Sequence, residues 1–318
     1  VSDALYLSGW RYRAVILSVV FSAFGYLAFS LWGGWVEISN AVAKVGVLGI
    51  AIALLMSLVN YGLRFRRWQS YLKALGHPVA WQPSLKIYLA GFALTTTPGK
   101  AGEALRGVLL KPWGVPYATS FAAFFSERLS DLFAVVLLTL FGLTLYPDAR
   151  PMIAVGVVLV VFAFAMLSQR KLIEWLAGRI PESGGRVIGL VRHLFRVLLE
   201  AHRCHRLSML SGATLLSVLA WGAEAIAFYW VLDWMGADIP LAFAVFVYAL
   251  SMLAGALSFM PGGLGGAEAV MVALLVWKGM PSADAVAATI LIRLATLWFA
   301  VGIGAIMLLK GRGKWHEW

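Results

Sequence analysis

Charge is scarce in this sequence. Asp, Glu, Lys and Arg make up 13% of its 318 residues, about half the share found in a soluble domain. Cysteine is scarcer still: Cys204 stands alone, which excludes an internal disulfide and a cysteine-only metal site. His202 and His205 lie beside it, but no second cluster completes a metal site. The glycine-rich run 262–266 has no strand pattern before it and no Gly-Lys-Ser/Thr after it, so it is not a nucleotide loop. No nucleophile–base set and no cofactor motif is visible, and the chain is read as needing no cofactor.

What is present is apolar. Hydrophobic residues make up 61% of the chain, and the mean hydropathy is +0.84. Several apolar runs approach the roughly 20 residues that cross a bilayer core. They are continuous rather than alternating, which favours a helical bundle over a barrel. The fold class is therefore an all-α polytopic membrane protein. The net charge of +11 would suggest nucleic acid in a soluble protein. Here it reads as the positive-inside signal, with no nucleic-acid partner.

Full spans are predicted at about 14–35, 43–63, 116–145, 152–168, 207–235 and 281–309. The first is too long for the apolar core of a cleaved signal. Residues 64–78 read as a basic loop with Arg64, Arg66, Arg67 and Lys73. Residues 169–206 read as a cytoplasmic basic linker with eight Lys and Arg. Its second half, 184–206, has apolar residues at helical spacing between arginines. That pattern fits a helix on an anionic lipid surface, and equally a helix packed on its own protein. With both termini in the cytoplasm of a cell-membrane protein, cytoplasmic pieces hold 18 basic residues and outer loops hold 3: Lys44, Arg150 and Lys278.

One stretch occurs twice. Pro98-Gly99-Lys100-Ala101-Gly102-Glu103 is followed by Arg128. Pro261-Gly262-Gly263-Leu264-Gly265-Gly266-Ala267-Glu268 is followed by Arg293. Glu103, Gly114, Pro116 and Arg128 all recur 165 positions later, with Ala and Leu identities between them. Composition alone would match Ala and Leu, but it would not hold Glu, Gly, Pro and Arg in one register. The chain is one transmembrane domain made of two repeats, about 43–145 and about 207–309. Charge bookkeeping puts residues 78 and 111 on the same side, so 84–111 is a re-entrant hairpin turning at Pro98-Gly99. By the same logic 241–278 enters from the other side and turns at Pro261-Gly262, although 241–260 is long enough to cross alone. The architecture is then about six full spans plus two re-entrant hairpins in an inverted internal repeat.

Proline and glycine break a helix at membrane depth, where irregular backbone is tolerated only inside protein or beside a wet cavity. The half-helix that restarts near Ala101 or Ala267 has first amides without partners. Two such ends near the midplane suit an anionic group. Arg128 and Arg293 lie 12 residues into their spans, about 18 Å deep at 1.5 Å per residue. Guanidinium groups there need partners. Glu103 and Glu268 are the repeat-related candidates, although an acid in the first turn of a half-helix is also favoured by the dipole alone. Glu127 and Asp131 flank Arg128 without acidic counterparts in the second copy, and Arg106 follows the first motif. The candidate substrate-binding set is Pro98, Gly99, Lys100, Gly102, Glu103, Arg106, Arg128, Pro261, Gly262, Gly263, Gly265, Glu268 and Arg293. Glu103, Glu268, Glu224, Asp131 and Glu127 are candidates for coupling to a proton or an ion.

The Pro-Gly…Gly-Glu…Arg arrangement of 98–128, with Pro-Gly-Gly-Leu-Gly…Glu at 261–268, resembles the flippase-like transmembrane domain of lysylphosphatidylglycerol synthases. The resemblance covers nearly the whole chain and is to the stand-alone branch of that family, found in bacteria and archaea. Many members carry a charged residue just before the second Glu; here that place is Gly266-Ala267. Nothing in the chain is long or polar enough to be the aminoacyl-transfer domain. The resemblance therefore implies lipid translocation rather than lipid synthesis, with membrane lipids as partners and a homo-oligomer left open. The expected activity is a flippase for a lipid with an anionic head group, working by alternating access. The alternatives are a transporter of small soluble anions, which would use the same electrostatics, and a scaffold presenting lipid to a synthase, which would tolerate Glu103→Gln and Glu268→Gln.

Overall fold

A computed structural model describes residues 35–96, 101–145, 147–181, 185–258 and 260–311. These residues are helical, with no strand among them. The span expected at 14–35 and the N-terminus lie outside them. In chain order the helices are α1 (Trp35–Ala74), α2 (Trp81–Ala90), α3 (Ala101–Leu110), α4 (Tyr117–Leu143), α5 (Arg150–Ser168), α6 (Arg170–Ala177), α7 (Arg186–Glu200), α8 (Leu207–Trp234), α9 (Leu241–Leu257), α10 (Gly266–Trp277), α11 (Ser282–Arg293) and α12 (Phe299–Lys310).

Four helices are long and apolar enough to cross a bilayer: Val36–Ala74, Arg150–Ser168, Leu207–Trp234 and Ser282–Lys310. The last of these joins α11 and α12 through a π-helical turn, Leu294–Trp298. Helix α4, of 27 residues, matches them in length but carries Glu127, Arg128 and Asp131 in its middle. The chain is thus an all-helical polytopic membrane protein.

The two stretches around the Pro-Gly motifs are not straight helices. After α2 a short 3-10 turn, Gly91–Leu94, precedes the motif, and α3 returns against α2 and that turn. Likewise α9 stops at Leu257, a tight turn at Pro261–Gly263 follows, and α10 packs back along α9. At 17 residues, α9 is about 25 Å long, short of the roughly 30 Å hydrocarbon core.

The chain leaves both hairpins in the same way. Gly114 (φ 77°) and Gly279 (φ 101°) sit in the left-handed region, each closing a helix end. Gly114 N–H donates to Lys111 O and Val115 N–H to Leu110 O; Gly279 N–H donates to Val276 O and Met280 N–H to Leu275 O. A side chain would be strained at that φ, and the paired bonds satisfy carbonyls that the helix leaves over. Pro116 and Pro281, in extended conformation, then start α4 and α11.

Packing crosses between the halves. Helix α9 lies against α4, whereas α2 and its 3-10 turn lie against α12. At both crossings a glycine lets backbones touch. A Cβ at Gly142 of α4 would lie 2.8 Å from Phe246 Cα, and one at Gly304 of α12 would lie 2.9 Å from Ala93 Cα. Helices α1 and α8 pair along the centre, where Asn60 Nδ2 donates to Ala220 O at 2.9 Å. Two buried clusters result. One is built around Phe228, Phe243, Tyr248 and Ile292. The other is built around Phe65, Trp68, Tyr71, Tyr88 and Phe92 and is closed by Ala300 and Leu308 of α12.

One sequence expectation is corrected here. Residues 64–74 are not a loop: α1 continues through them. Arg66 and Lys73 are exposed, but Arg67 is fully buried and Arg64 is paired inside the protein. The apolar residues Tyr61, Phe65, Trp68 and Leu72 continue the helical period between those arginines and are all buried. Burying that stripe requires the helix to continue, and it carries Arg64 and Arg67 inward. Two of the basic residues assigned to the cytoplasm therefore belong to the interior.

The linker contains α6 and α7, which pack on each other, and α7 also touches α4. Val197, Ala201 and Cys204 are buried, whereas Val187 and Trp175 are exposed.

Candidate functional site

The middle of α4 presents two carboxylates to the interior, and four arginines converge on them. Arg67 Nη1 lies 2.5 Å from Asp131 Oδ1, and Arg67 Nη2 lies 3.4 Å from Glu127 Oε1. Arg106, from α3, reaches Glu127 Oε2 at 2.8 Å. Arg64 and Arg128 approach Asp131 Oδ2 at 3.4 and 3.1 Å. Trp221 Nε1 donates to Asp131 Oδ1 at 3.1 Å, and Arg67 also donates to Ser217 Oγ. Aromatic faces complete the shell. The Arg106 guanidinium lies 4.3 Å from the Tyr88 ring centre and 5.2 Å from that of Trp68. Arg64 lies 5.4 Å from the Trp221 ring centre.

The described side chains of this cluster thus carry four positive charges against two negative ones. Buried ion pairs repay their desolvation only when geometry and hydrogen bonding are nearly complete. Here they are not. Nε of Arg64, Arg67, Arg106 and Arg128, the Tyr88 hydroxyl and Thr96 Oγ1 are buried without a hydrogen-bond partner among the described residues. Excess guanidinium charge with unused donors is suited to an oxyanion with several acceptors.

The second motif closes on itself. Gly265, at φ 84°, precedes α10, and its N–H donates to Glu268 Oε2 at 2.7 Å, as in half of a capping box. Glu268 Oε1 accepts from Arg293 Nε at 2.7 Å. Arg293 Nη2 donates to the Gly262 carbonyl at 2.9 Å, and Nη1 lies 3.8 Å from Met252 Sδ. Gly263 backs onto Gly255 of α9: a Cβ on Gly263 would lie 3.1 Å from Gly255 Cα. The π-helical turn begins directly after Arg293, a distortion common at functional sites. This site is balanced, one cation to one anion.

The hairpin turns meet. A Cβ on Gly262 would lie 3.3 Å from Thr96 Cγ2 and 3.5 Å from the Thr95 carbonyl. Pro98, Gly99 and Lys100 lie outside the described residues. Gly102 and Glu103 begin α3, but their side chains also lie outside what is described, as does that of Pro261. Gly262, Gly263, Gly265, Glu268 and Arg293 form one unit. Arg106, Arg128, Glu127 and Asp131 form another. The partner of Arg128 is Asp131, one turn along α4, and its side chain is one-third exposed. Glu127 instead anchors Arg67 and Arg106. Glu224 joins neither unit and accepts a 2.7 Å hydrogen bond from Tyr248.

Arg64, Arg67, Trp68, Tyr88, Ser217 and Trp221 were not among the sequence candidates. The aromatic stripe through 61–72 is the signal that marks the first three. Tyr88, Ser217 and Trp221 carry none.

At the linker end, His205 is fully buried, its Nε2 3.1 Å from Ser126 Oγ. Burial, helped by the nearby His202, pushes its pKa down to about 4. Burial pushes the Cys204 thiol up to about 12.

Away from the arginines, an apolar groove of about 820 Å³ runs between α4, α5 and α8. Leu137, Val161, Phe164 and Leu215 line it, with Ser168, Gln169 and Arg206 at one end. Helix α5, which forms one wall, has no buried residue.

The comparisons with known proteins agree with this architecture. Residues 15–304 match the family described as the lysylphosphatidylglycerol synthase TM region. A UPF0104 membrane protein of Methanothermobacter thermautotrophicus is 26% identical, with 93% of this chain and 95% of that protein aligned. A second, from Pyrococcus horikoshii, is 24% identical over 95% of this chain and 97% of the relative. With a match over most of its length, the chain belongs to the lysylphosphatidylglycerol synthase transmembrane-region family.

Proposed function

We propose that this protein moves a lipid with an anionic head group between the leaflets of the cell membrane. The observation that carries the reading is the surplus of guanidinium charge among the described side chains of the α1–α3–α4 cluster: four arginines, two carboxylates. A phosphate there would use the idle Nε donors and offset charge that is costly inside a bilayer. Arg293, held by Glu268 and the Gly262 carbonyl, is the corresponding group of the other half.

In this reading α2–α3 and α9–α10 are re-entrant hairpins from opposite faces, and the halves 43–145 and 207–309 are inverted copies. The recurring helix ends at Gly114 and Gly279 and the crosswise packing support it. Two halves of like construction supply two states of similar energy, which alternating access requires. With Arg64 and Arg67 counted as interior, the same bookkeeping leaves 16 basic residues for the cytoplasm against 3 outside, which supports both termini inside. The exposed side of α6–α7, including Val187 and Trp175, would rest on anionic lipid.

The lateral apolar groove favours a lipid over a small soluble anion, because a soluble ion has no use for an acyl-sized channel open along α5. The test is flipping of a labelled anionic phospholipid in proteoliposomes. Wild type should accelerate it. Arg67→Gln, Arg106→Gln and Arg293→Gln should each slow it about tenfold or more, the equivalent of one lost charge-assisted bond of at least about 1.4 kcal/mol. Equal rates in wild type, these variants and empty vesicles would remove the reading.

A further inference from the structure

Among the four buried acids of the described residues, Glu224 is set apart by its surroundings. Glu127, Asp131 and Glu268 each lie within 4 Å of an arginine, and the Glu103 side chain lies outside the described residues. Glu224 is 4% exposed, and no ion pair among the described residues includes it. Its hydrogen-bond donor is the Tyr248 hydroxyl, at 2.7 Å. An ionised carboxylate buried against one neutral donor is strongly disfavoured, and such a group holds a proton instead.

Every element packed on this stretch of α8 brings a group that could change that balance. Helix α1 brings Tyr61 and Arg64, α4 brings Asp131, α9 brings Tyr248, and Arg293 closes α11. Arg64 and Arg293 are already committed, to Asp131 and Glu268. Tyr61 is tied off as well, its hydroxyl donating to Thr296 O at 2.5 Å. Glu224 thus lies between the two arginine sites without being bonded to either.

We infer that Glu224 is a proton-binding site coupled to head-group movement, resting on the transport reading above. While Asp131, Glu268 or a lipid phosphate holds the arginines, Glu224 keeps its proton. When Arg64 or Arg293 is released to reach it, the O–H bond breaks, the proton leaves to water and the carboxylate pairs with the arginine. Phosphate returning to the arginine lets the carboxylate take up a proton again. The loaded site crosses with Glu224 protonated and the emptied site returns with Glu224 ionised against an arginine, so one proton crosses with one head group, and lipid distribution follows the proton gradient.

Two readouts on the same proteoliposomes test this. Infrared difference spectra should show a protonated-carboxyl C=O band at neutral pH in wild type, absent in Glu224→Gln and shifted in Tyr248→Phe. With a proton gradient imposed, labelled anionic phospholipid should redistribute between leaflets by up to about tenfold per pH unit at one proton per lipid. In Glu224→Gln the steady leaflet ratio should ignore the gradient, whatever the rate of approach. No band in wild type, or a band that survives in Glu224→Gln, overturns the assignment of the proton. Wild-type vesicles that equilibrate lipid but ignore the gradient overturn the coupling. Wild-type vesicles that move no lipid overturn the transport reading and the coupling with it, while the band still reports whether Glu224 holds a proton. Tyr248→Phe covers the case in which Glu224→Gln fails to fold.

Discussion

Arg67 and Asp131 stand 64 residues apart in sequence and 2.5 Å apart in the folded chain. The arginine is fully buried and the aspartate nearly so. Arg67→Ala would take from Asp131 the shortest of its three ion pairs and from Glu127 one of its two. The expected cost is about 1.5–3 kcal/mol, the worth of a hydrogen bond to a charged group, because Arg64, Arg106 and Arg128 still face the carboxylates. Asp131→Asn in the same chain should recover part of it. Unfolding in detergent, followed by tryptophan fluorescence across both single variants and the double, measures the coupling.

Arg293 holds the second turn together through two different nitrogens. Lysine keeps the charge but cannot serve Glu268 and the Gly262 carbonyl in that planar geometry. Arg293→Lys should therefore lose function nearly as fully as Arg293→Gln, with a stability loss of about 1.5–3 kcal/mol, the worth of one charged hydrogen bond. Retention of wild-type flipping by the lysine variant would assign Arg293 a purely electrostatic role.

Acid should weaken the linker end of the protein. His205 has its folded pKa lowered to about 4, against an ordinary value near 6.5. Between those values the unfolded chain binds the extra proton, so stability rises with pH across that interval. The contribution is complete above about pH 6.5 and is lost as pH falls towards 4, at most on the order of 3 kcal/mol. Melting temperatures of wild type and His205→Asn, recorded across that interval, should converge as the pH drops.

Cys204 should resist thiol reagents. It is fully buried, and burial raises its pKa to about 12, so little reactive thiolate exists at neutral pH. Maleimide labelling in mild detergent should be slow and should become complete on denaturation.

Gly304 and Gly142 should tolerate no side chain. A Cβ at Gly304 would lie 2.8 Å from the Phe92 carbonyl carbon, where backbone has little room to yield. Gly304→Leu and Gly142→Leu should each cost at least about 1–3 kcal/mol through overpacking, read as lowered melting temperature and yield.

The pairing within the second Pro-Gly motif was legible in the sequence because its parts are local or lie at a spacing that recurs. Glu268 bonds three residues back to Gly265, and Arg293 lies at the spacing that also links Glu103 to Arg128. Gly114 and Gly279 were visible as a recurring pair, but not as the helix ends that they form. The arginine cluster was not. Positive-inside counting treats arginines at the end of an apolar run as loop residues, so Arg64 and Arg67 were assigned to water. Their partners, Asp131 and Glu127, belong to α4, which meets α1 only in the folded bundle. Nothing in the chain's order shows that Arg106 answers Glu127 while Arg128 turns to Asp131. The crossing of hairpins onto opposite exit helices likewise depends on three-dimensional closure and leaves no trace in composition.

That crossing has a consequence for biogenesis. Each hairpin finds its seat on a helix that the ribosome makes in the other half, so a chain cut between Ser168 and Leu207 should yield two fragments that are degraded when expressed singly. Co-expressed, they should rescue each other, and the membrane insertion machinery must shelter the first hairpin until α12 emerges to cover it.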